Sequence, residues 1–589
     1  MAGIGTVSTC WVYAVVPWTP EDERQCYQRL GSAWLLRSDS KYPGLTRRHH
    51  VGTLVSNTDE RDEMYALTPL RLLEVNSSLI WDWPYLQQII SLMKRDSFNG
   101  LVIHQQDLFA LLVNPSAYCL HGKDNLLCER QEKLLYIQRL CRYCNMSNIG
   151  IWLQGEAFPF GGKLQEKYPE YALIENSNAD EIFWKNFYQK ELAETLCQLP
   201  AIDGVIITLP RHLPYRANWS STLPYLYQTL RSLGKKMVLR DYMDDEAAPW
   251  QLLSALQVLP KDVRVSLKAV PAGYRPGFAT NPLFMQLEDR IKWIEFDLWG
   301  LEYGWTLLPC YLLEEIQGRL SWVENVTGDR LEAVTGRLSW EWISNSSLIN
   351  SVNSINLHGL AMFGREMGMS EKQAFHCWLT DMLGHKVEKT ELDAFHQLYI
   401  SSHEWMKKTP YILGHVLHHY SQVPKTFSQA VKQLQLHSRR SDDFAVSALF
   451  PPDDPATGNE QYQLLLLEKQ RALFLAQHTR SQLHFMLQHT HISEENRNLF
   501  KRVWERVPWY TTLFDDVAKG VAMKLMLERY GSLNGVSHVE LTRQINQLRQ
   551  LANRLGEWLD KEEQQQPHYL AMLFDPARLL TLAESLEQD

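Results

Sequence analysis

From residue 71 to about residue 340 the chain repeats one pattern: a short apolar, β-branched run, a polar or Gly/Pro break, then an amphipathic stretch. The runs are RLLEV at 71, GLVIH at 100, IGIWLQ at 149, DGVIIT at 203, KKMVLR at 235, VRVSLK at 263, IKWIEFD at 291 and LEAVTG at 331. Helical segments such as WPYLQQIISLMKR after the first run and NFYQKELAETLCQL before the fourth supply the crossovers that parallel strands require. Eight such units over about 300 residues are the size of a closed (β/α)8 barrel. The structural competitor is an open doubly wound sheet, but no dinucleotide-binding GxGxxG and no P-loop follows any run. The expected class is α/β, a (β/α)8 TIM barrel over 71–368 followed by a large all-α C-terminal domain over 369–589.

Residues 1–70 lack a clear period and read as a small N-terminal cap or sandwich remnant. After about residue 370 the strand signals stop, and helix-period stretches take over, including NEQYQLLLLEKQRALFLAQHTRSQLHFMLQHT and HVELTRQINQLRQLANRLGEWLDKEEQQQ. PPDDPATG at 451–458 reads as a turn between helices. The apolar faces of this half must pack on one another or on a partner subunit, so a homodimer through it stays open. Its heptad-like tail is not sustained over several clean heptads, which favours an intramolecular bundle over a coiled coil.

A net charge of -9, from 68 acidic and 59 basic residues, gives no basic stripe for phosphates and argues against nucleic acid. The start, MAGIGTVSTCWVYAVVPW, has neither a basic n-region nor a long apolar h-region, and no run of about 18 apolar residues follows, so a cytoplasmic protein without membrane contact is expected. Nine unevenly spaced cysteines suit a reducing compartment. Cys141 and Cys144 invite a zinc site with Cys119 and Cys128, but the pair lies in the helical pattern LLYIQRLCRYC and the upstream two lack CxxC spacing. No metal and no cofactor is expected. Twenty Trp, 25 Tyr and 20 Phe are enough to hold sugar faces, although most such residues serve the core.

Ligands of such barrels bind where strands end. The residues there are His104, Gln105 and Asp107 after the second run, Gln154 and Glu156 after the third, and Arg211 and His212 after the fourth. Arg240 and Asp241 follow the fifth, Lys268 the sixth, and Asp297 and Glu302 the seventh. Arg240 and Lys268, on adjacent strands, can converge on one anion, the first as a planar fork and the second as a point charge. The plainer reading pairs them with Asp241 or Asp297 in a structural ion network, makes His104 a satisfied core histidine and leaves Glu156 an exposed loop residue.

The segment 265–316, VSLKAVPAGYRPGFATNPLFMQLEDRIKWIEFDLWGLEYGWTLLPCYLLEEI, resembles the sixth and seventh barrel strands of the glycoside hydrolase family 67 α-glucuronidases. Lys268 with Pro271, Asn281-Pro282-Leu283-Phe284, and Glu295 with Glu302-Tyr303 follow that family's order, with one extra residue before Glu302. FNGLVIH at 98–104, DGVIITLPRH at 203–212, VLRDY at 238–242, FGR at 363–365 and TPYILGHVLHH at 409–419 continue the likeness, which spans about 70–420.

The resemblance implies a glycoside hydrolase that removes uronic acid from oligosaccharides by inversion, with an acid at the leaving oxygen and a base on the opposite water. It places Arg240 and Lys268 on the uronate carboxylate of an acidic oligosaccharide; His104, Asp107, Tyr303 and Trp305 are further candidates for the substrate side. Glu302 falls on one of two base-side carboxylates; the other, an Asp in the family, is Gly273 here. The family's general-acid Glu has no counterpart either, since TLPRHLP after the fourth strand holds no carboxylate. Glu156, Asp241 and Asp297 are the replacement carboxylates on offer, and His212, which titrates near neutrality, is another proton donor. The alternative is a barrel that binds acidic carbohydrate without cleaving it; a third is a scaffold for the helical half.

Overall fold

The computed structural model describes residues 68–588 apart from 106–107, 114–123, 157–177, 209–218, 242–249, 437–447, 563–568 and a few single or paired positions. The N-terminal cap reading of residues 1–70 therefore falls almost wholly outside the described residues. Each of the eight apolar runs is a strand: β1 Leu70–Asn76, β2 Gly100–His104, β3 Gly150–Glu156, β4 Gly204–Thr208, β5 Lys236–Arg240, β6 Arg264–Lys268, β7 Lys292–Phe296 and β8 Leu331–Arg337. They pair in chain order, all parallel, and close β8 onto β1. With helices covering the outside, strands such as GVIIT are buried on both faces, which is why they read as continuous apolar runs and not as alternation.

Side chains alternate along a strand with period two, and that period builds the interior in layers. The lowest layer is apolar: Leu72, Val102, Trp152, Ile206, Val238, Trp293 and Ala333, with the two indoles edge to face at 4.7 Å. Two residues further along the same strands stand Glu74, His104, Gln154, Thr208, Arg240, Glu295 and Thr335. The barrel thus turns from hydrocarbon to charge within one step of the pleat. Small residues at the strand starts give the lower layer its room. A Cβ added at Gly100 would stand 2.2 Å from Leu72 Cδ2, and one at Gly204 would meet Trp152 Cζ3 at 2.4 Å and the Lys236 carbonyl oxygen at 2.5 Å.

Beyond the barrel the chain is helical, as its periodicity predicts. The longest helices, Pro455–His489 and Glu494–Tyr530, pack on each other and, through Lys389–Lys408, on the barrel side, in one continuous apolar core. PPDDPATG is only half turn: Asp454 caps the helix that Pro455 opens, its carboxylate accepting from the Thr457 amide at 3.0 Å. Cys141 and Cys144 are buried in the helix Asp124–Asn145, and burial pushes their thiols up to about 11 and about 12, a setting that keeps them protonated. Among the described residues no helix is long and apolar enough to cross a membrane.

Because the Lys236 carbonyl is backbone and cannot swing aside, Gly204→Ala is expected to cost about 1–3 kcal/mol of stability. Its denaturation midpoint should fall clearly below that of the parent chain, and an unchanged midpoint would show that the indole layer is looser than described.

Candidate active site

The second interior layer is a lattice of buried ions. Arg240, 1 % exposed, donates from Nε to Glu295 Oε2 at 2.8 Å and from Nη2 to the same oxygen at 2.7 Å, and its Nη2 lies 3.5 Å from Glu74 Oε2. Ser266 donates to the other Glu295 oxygen. Glu74 also meets Arg337 Nη2 at 3.3 Å and His104 Nδ1 at 2.7 Å. Burial works against the Glu74 charge, but Arg240, Arg337 and the bond from His104 outweigh it and hold this carboxyl well below the usual carboxylate range. Burial lowers His104 in spite of its bond to Glu74, so the ring is neutral and its Nδ1 carries the proton given to Glu74.

This lattice forms the floor of a cleft at the carboxyl ends of β5 to β8, lined by Glu74, Arg240, Lys268, Glu295, Asp297 and Arg337 among others. Three cations thus face three carboxylates, and the wall is balanced in charge. The enclosed space is about 10 Å³. That is the room of a single water. Arg337 Nη1 stands 3.9 Å from Asp297 Oδ2, and the Tyr303 hydroxyl fixes the loop by donating to the Asp297 carbonyl at 3.0 Å. Asp241 follows Arg240 directly and does not itself line the cleft, but it lies near enough to Lys268, Glu295 and Arg240 to feel their charges; its amide is held by the Ser266 carbonyl at 3.0 Å and its side chain is buried. Burial pushes the Asp241 carboxyl up to about 7, with Lys268 opposing the shift and Glu295 adding to it.

Of the residues singled out from sequence, Arg240, Lys268, Asp297, Asp241 and His104 come together here. The plainer pairing of Arg240 with Asp241 or Asp297 is replaced by pairing with Glu295 and Glu74, so the guanidinium edge a ligand carboxylate would need is already taken; only Nη1 is buried without a hydrogen-bond partner among the described residues. Glu302 lies elsewhere. It is buried between Arg275 Nη2 at 3.5 Å and His418 Nδ1 at 3.4 Å, under the segment that joins the hairpin Tyr411–Val416 to the following helix. Gly273 does stand beside it, since a Cβ there would be 3.4 Å from Glu302 Oε1, but a φ of +124° excludes an Asp without strain. Tyr303 and Trp305 are fully buried, and the Trp305 indole donates to the Leu301 and Tyr420 carbonyls, so neither presents a face to a ligand. Glu156 ends β3 opposite Thr208; its side chain, Asp107 and His212 lie outside the described residues.

Sequence reasoning missed Glu74, Arg337 and Ser266, and met Glu295 only through the resemblance. The signal was present: a glutamate inside LRLLEVN and another inside KWIEF are charges in runs otherwise fit for a core. Such charges are almost never fully buried unless paired.

No protein-family model matches the chain, and no curated protein matches it. Among solved structures, a GH138 enzyme targeting pectin rhamnogalacturonan II superposes with a TM-score of 0.61 at 12% identity, over 84% of this chain and 62% of that one. A β-N-acetylhexosaminidase from Bacteroides fragilis aligns with a TM-score of 0.35 at 12% identity, over 56% and 71% of the two chains. A GH20 exo-β-N-acetylglucosaminidase from Vibrio harveyi gives 0.33 at 10%, over 55% and 59%. The chain spans less than two thirds of the GH138 enzyme, and at this identity the likeness is one of fold. What it establishes is the fold, a closed (β/α)8 barrel with a large helical region, shared with a glycoside hydrolase; it does not single out family 67.

Proposed function

We propose that this chain is a glycoside hydrolase acting on uronic-acid-containing oligosaccharides, with Asp241 as the proton donor, Asp297 as the base-side carboxylate and Lys268 as the cation for the uronate. The observation that carries the reading is a mixed set of charges at the strand ends: Lys268 and Asp297 line one cleft, and Asp241, buried near Lys268 and Glu295, keeps its proton to about 7. A carboxyl that holds its proton near neutrality is what the acid step of glycoside hydrolysis requires. All three cations of the cleft wall end barrel strands, where ligands of this fold bind; Arg240 is committed to Glu295 and Glu74 and Arg337 to Glu74 and Asp297, so Lys268 is the cation assigned to the uronate and Arg240 a positioning residue. A space the size of one water suits an attacking water, and the sugar ring itself sits above it at the mouth.

One observation favours a second reading, in which the acidic sugar is bound and not cleaved. Glu302, the carboxylate that the resemblance assigns to the base side, is enclosed by Arg275 and His418 away from the cleft. Calorimetry with glucuronate and galacturonate oligomers, followed by product analysis after long incubation, decides the matter. Binding with product supports hydrolysis, binding without product the second reading, and no binding of any uronate sinks both.

If Asp241 is the acid, turnover falls as pH rises through about 7, and Asp241→Asn lowers it by about 10² to 10⁴ while removing that limb of the profile. A variant that keeps full turnover and the same limb excludes the assignment. The same group sets a stability trend. In the unfolded chain Asp241 ionises near its usual 3.8, but in the fold it stays protonated to about 7, so its stabilising protonated state is fully present below pH 4 and is lost between 4 and 7. Asp241→Asn should therefore be more stable than the parent at pH 8 by up to about 4 kcal/mol, with the difference vanishing near pH 4. Paired urea titrations at the two pH values measure it, and a pH-independent difference would contradict the buried protonated carboxyl.

A further inference from the structure

Among the described residues seven tryptophans are buried, whereas Trp342 is 71 % exposed. It is not a stray surface residue. Its inner face stacks on Trp340 at 5.2 Å and 26°, and Trp340 in turn packs against Trp299 at 5.6 Å, Trp305 at 6.2 Å and Tyr420 at 6.0 Å. Trp299 and Trp305 are fully buried and stack at 6.1 Å and 29°. Their indole nitrogens are fixed, Trp299 to Ser346 Oγ at 2.9 Å and Trp305 to the Tyr420 carbonyl at 2.9 Å. An aromatic stack thus rises out of the core and ends in one open indole face.

The stack belongs to the same end of the barrel as the cleft. Both loops that carry it start from cleft-lining residues: Trp299 comes two positions after Asp297, and Trp340 and Trp342 three and five after Arg337. The second loop is anchored to β1, because the Leu338 amide donates to the Glu74 carbonyl at 2.9 Å and the Asn76 amide to Ser339 Oγ at 3.0 Å. It closes on itself where the Leu348 amide meets the Leu338 carbonyl at 2.9 Å. Five residues of chain reach at most about 17 Å, so Trp342 stands within an oligosaccharide's length of the cleft.

A rigid, exposed indole suits the apolar C–H face of a pyranose, since it offers area at little entropic cost and its inner face is already desolvated. The segment LSWEWI at 338–343 contains no cation and one exposed carboxylate, Glu341 beside Trp342. That charge disfavours a uronate there and favours a ring with only hydroxyl groups. We propose that Trp342, backed by Trp340, is a stacking subsite for a neutral pyranose of the oligosaccharide whose acidic ring is held at Lys268. This rests on the uronate reading of the cleft for the second ring, though not for the platform itself.

Calorimetric titration of the full chain, Trp342→Ala and Trp342→Phe with glucuronic acid, xylotriose, cellotriose and a glucuronosyl xylotriose tests it. Trp342→Ala should weaken the glucuronosyl xylotriose and at least one neutral trisaccharide about tenfold, Trp342→Phe should restore most of that loss, and glucuronic acid should bind all three proteins alike. Oligomer affinities unchanged within twofold, or an equal loss for glucuronic acid, overturn the platform. Parent chain that binds a neutral trisaccharide in a Trp342-dependent way but ignores glucuronic acid upholds the platform and refutes the uronate cleft. Glucuronic acid bound as tightly as every oligomer does the reverse, and no binding of any of the four removes both.

Discussion

Arg240 cannot be inside this barrel without Glu295 and Glu74, and they cannot be there without it. All three are nearly inaccessible to water, and a charge in such a place is tolerated only when it is paired and hydrogen-bonded. The pairs tie β1, β5 and β7 across the lumen, and Arg337 adds β8. Loss of one partner in a buried pair costs about 3–5 kcal/mol because the other is stranded. The lattice therefore holds each strand end in register with the others, and it also decides what remains for a ligand. With the Arg240 fork committed to Glu295, Lys268 is the cation left for the anion recognition proposed above.

A second constraint comes from the helical half, which closes over the loop after β7. The Gly304 amide donates to Ser421 Oγ at 2.8 Å, the same hydroxyl donates to the Leu301 carbonyl at 2.8 Å, and the Tyr510 hydroxyl reaches the Ser421 carbonyl at 2.7 Å. His418 completes the enclosure of Glu302 from the same segment. Here Trp305 and Thr306 are both held at positive φ, 55° and 62°. Such backbone persists only where its surroundings over-determine it. The packing explains why three residues that follow one strand in sequence have such different fates: Asp297 opens on the cleft, Glu302 is enclosed, and Trp305 becomes the base of an aromatic stack.

The strands were legible because a parallel sheet covered by helices leaves an unmistakable trace, short β-branched runs at regular spacing. The rim was legible for the same reason, since a residue at the end of a recognised strand has only one place to be; hence Arg240, Asp241, Lys268 and Asp297 were found. The floor was not, because Glu74 and Arg337 sit within or at the end of apolar runs that are buried on both faces and so show no alternation to mark which positions point inward. Glu302 was misleading for another reason. Its neighbour in sequence order is matched to the family, but whether it faces a cleft or a covering hairpin depends on His418, more than a hundred residues away.

The carboxyl proposed as proton donor, Asp241, is where these constraints meet. With no carboxylate in the stretch after β4, an acid must come from another strand end, and a carboxyl placed at random would be ionised at neutral pH. Asp241 escapes this because it shares a dry corner with Glu295, whose own charge is already paired to Arg240. Burial is the largest cause of the shift, and the Glu295 charge adds to it against the pull of Lys268 and Arg240. Lys268 pulls the other way and keeps the carboxyl close to 7 instead of far above it. A general acid is most effective when its pKa lies near the working pH. The buried lattice, needed first to hold the barrel together, thus also shifts the carboxyl proposed here as the acid.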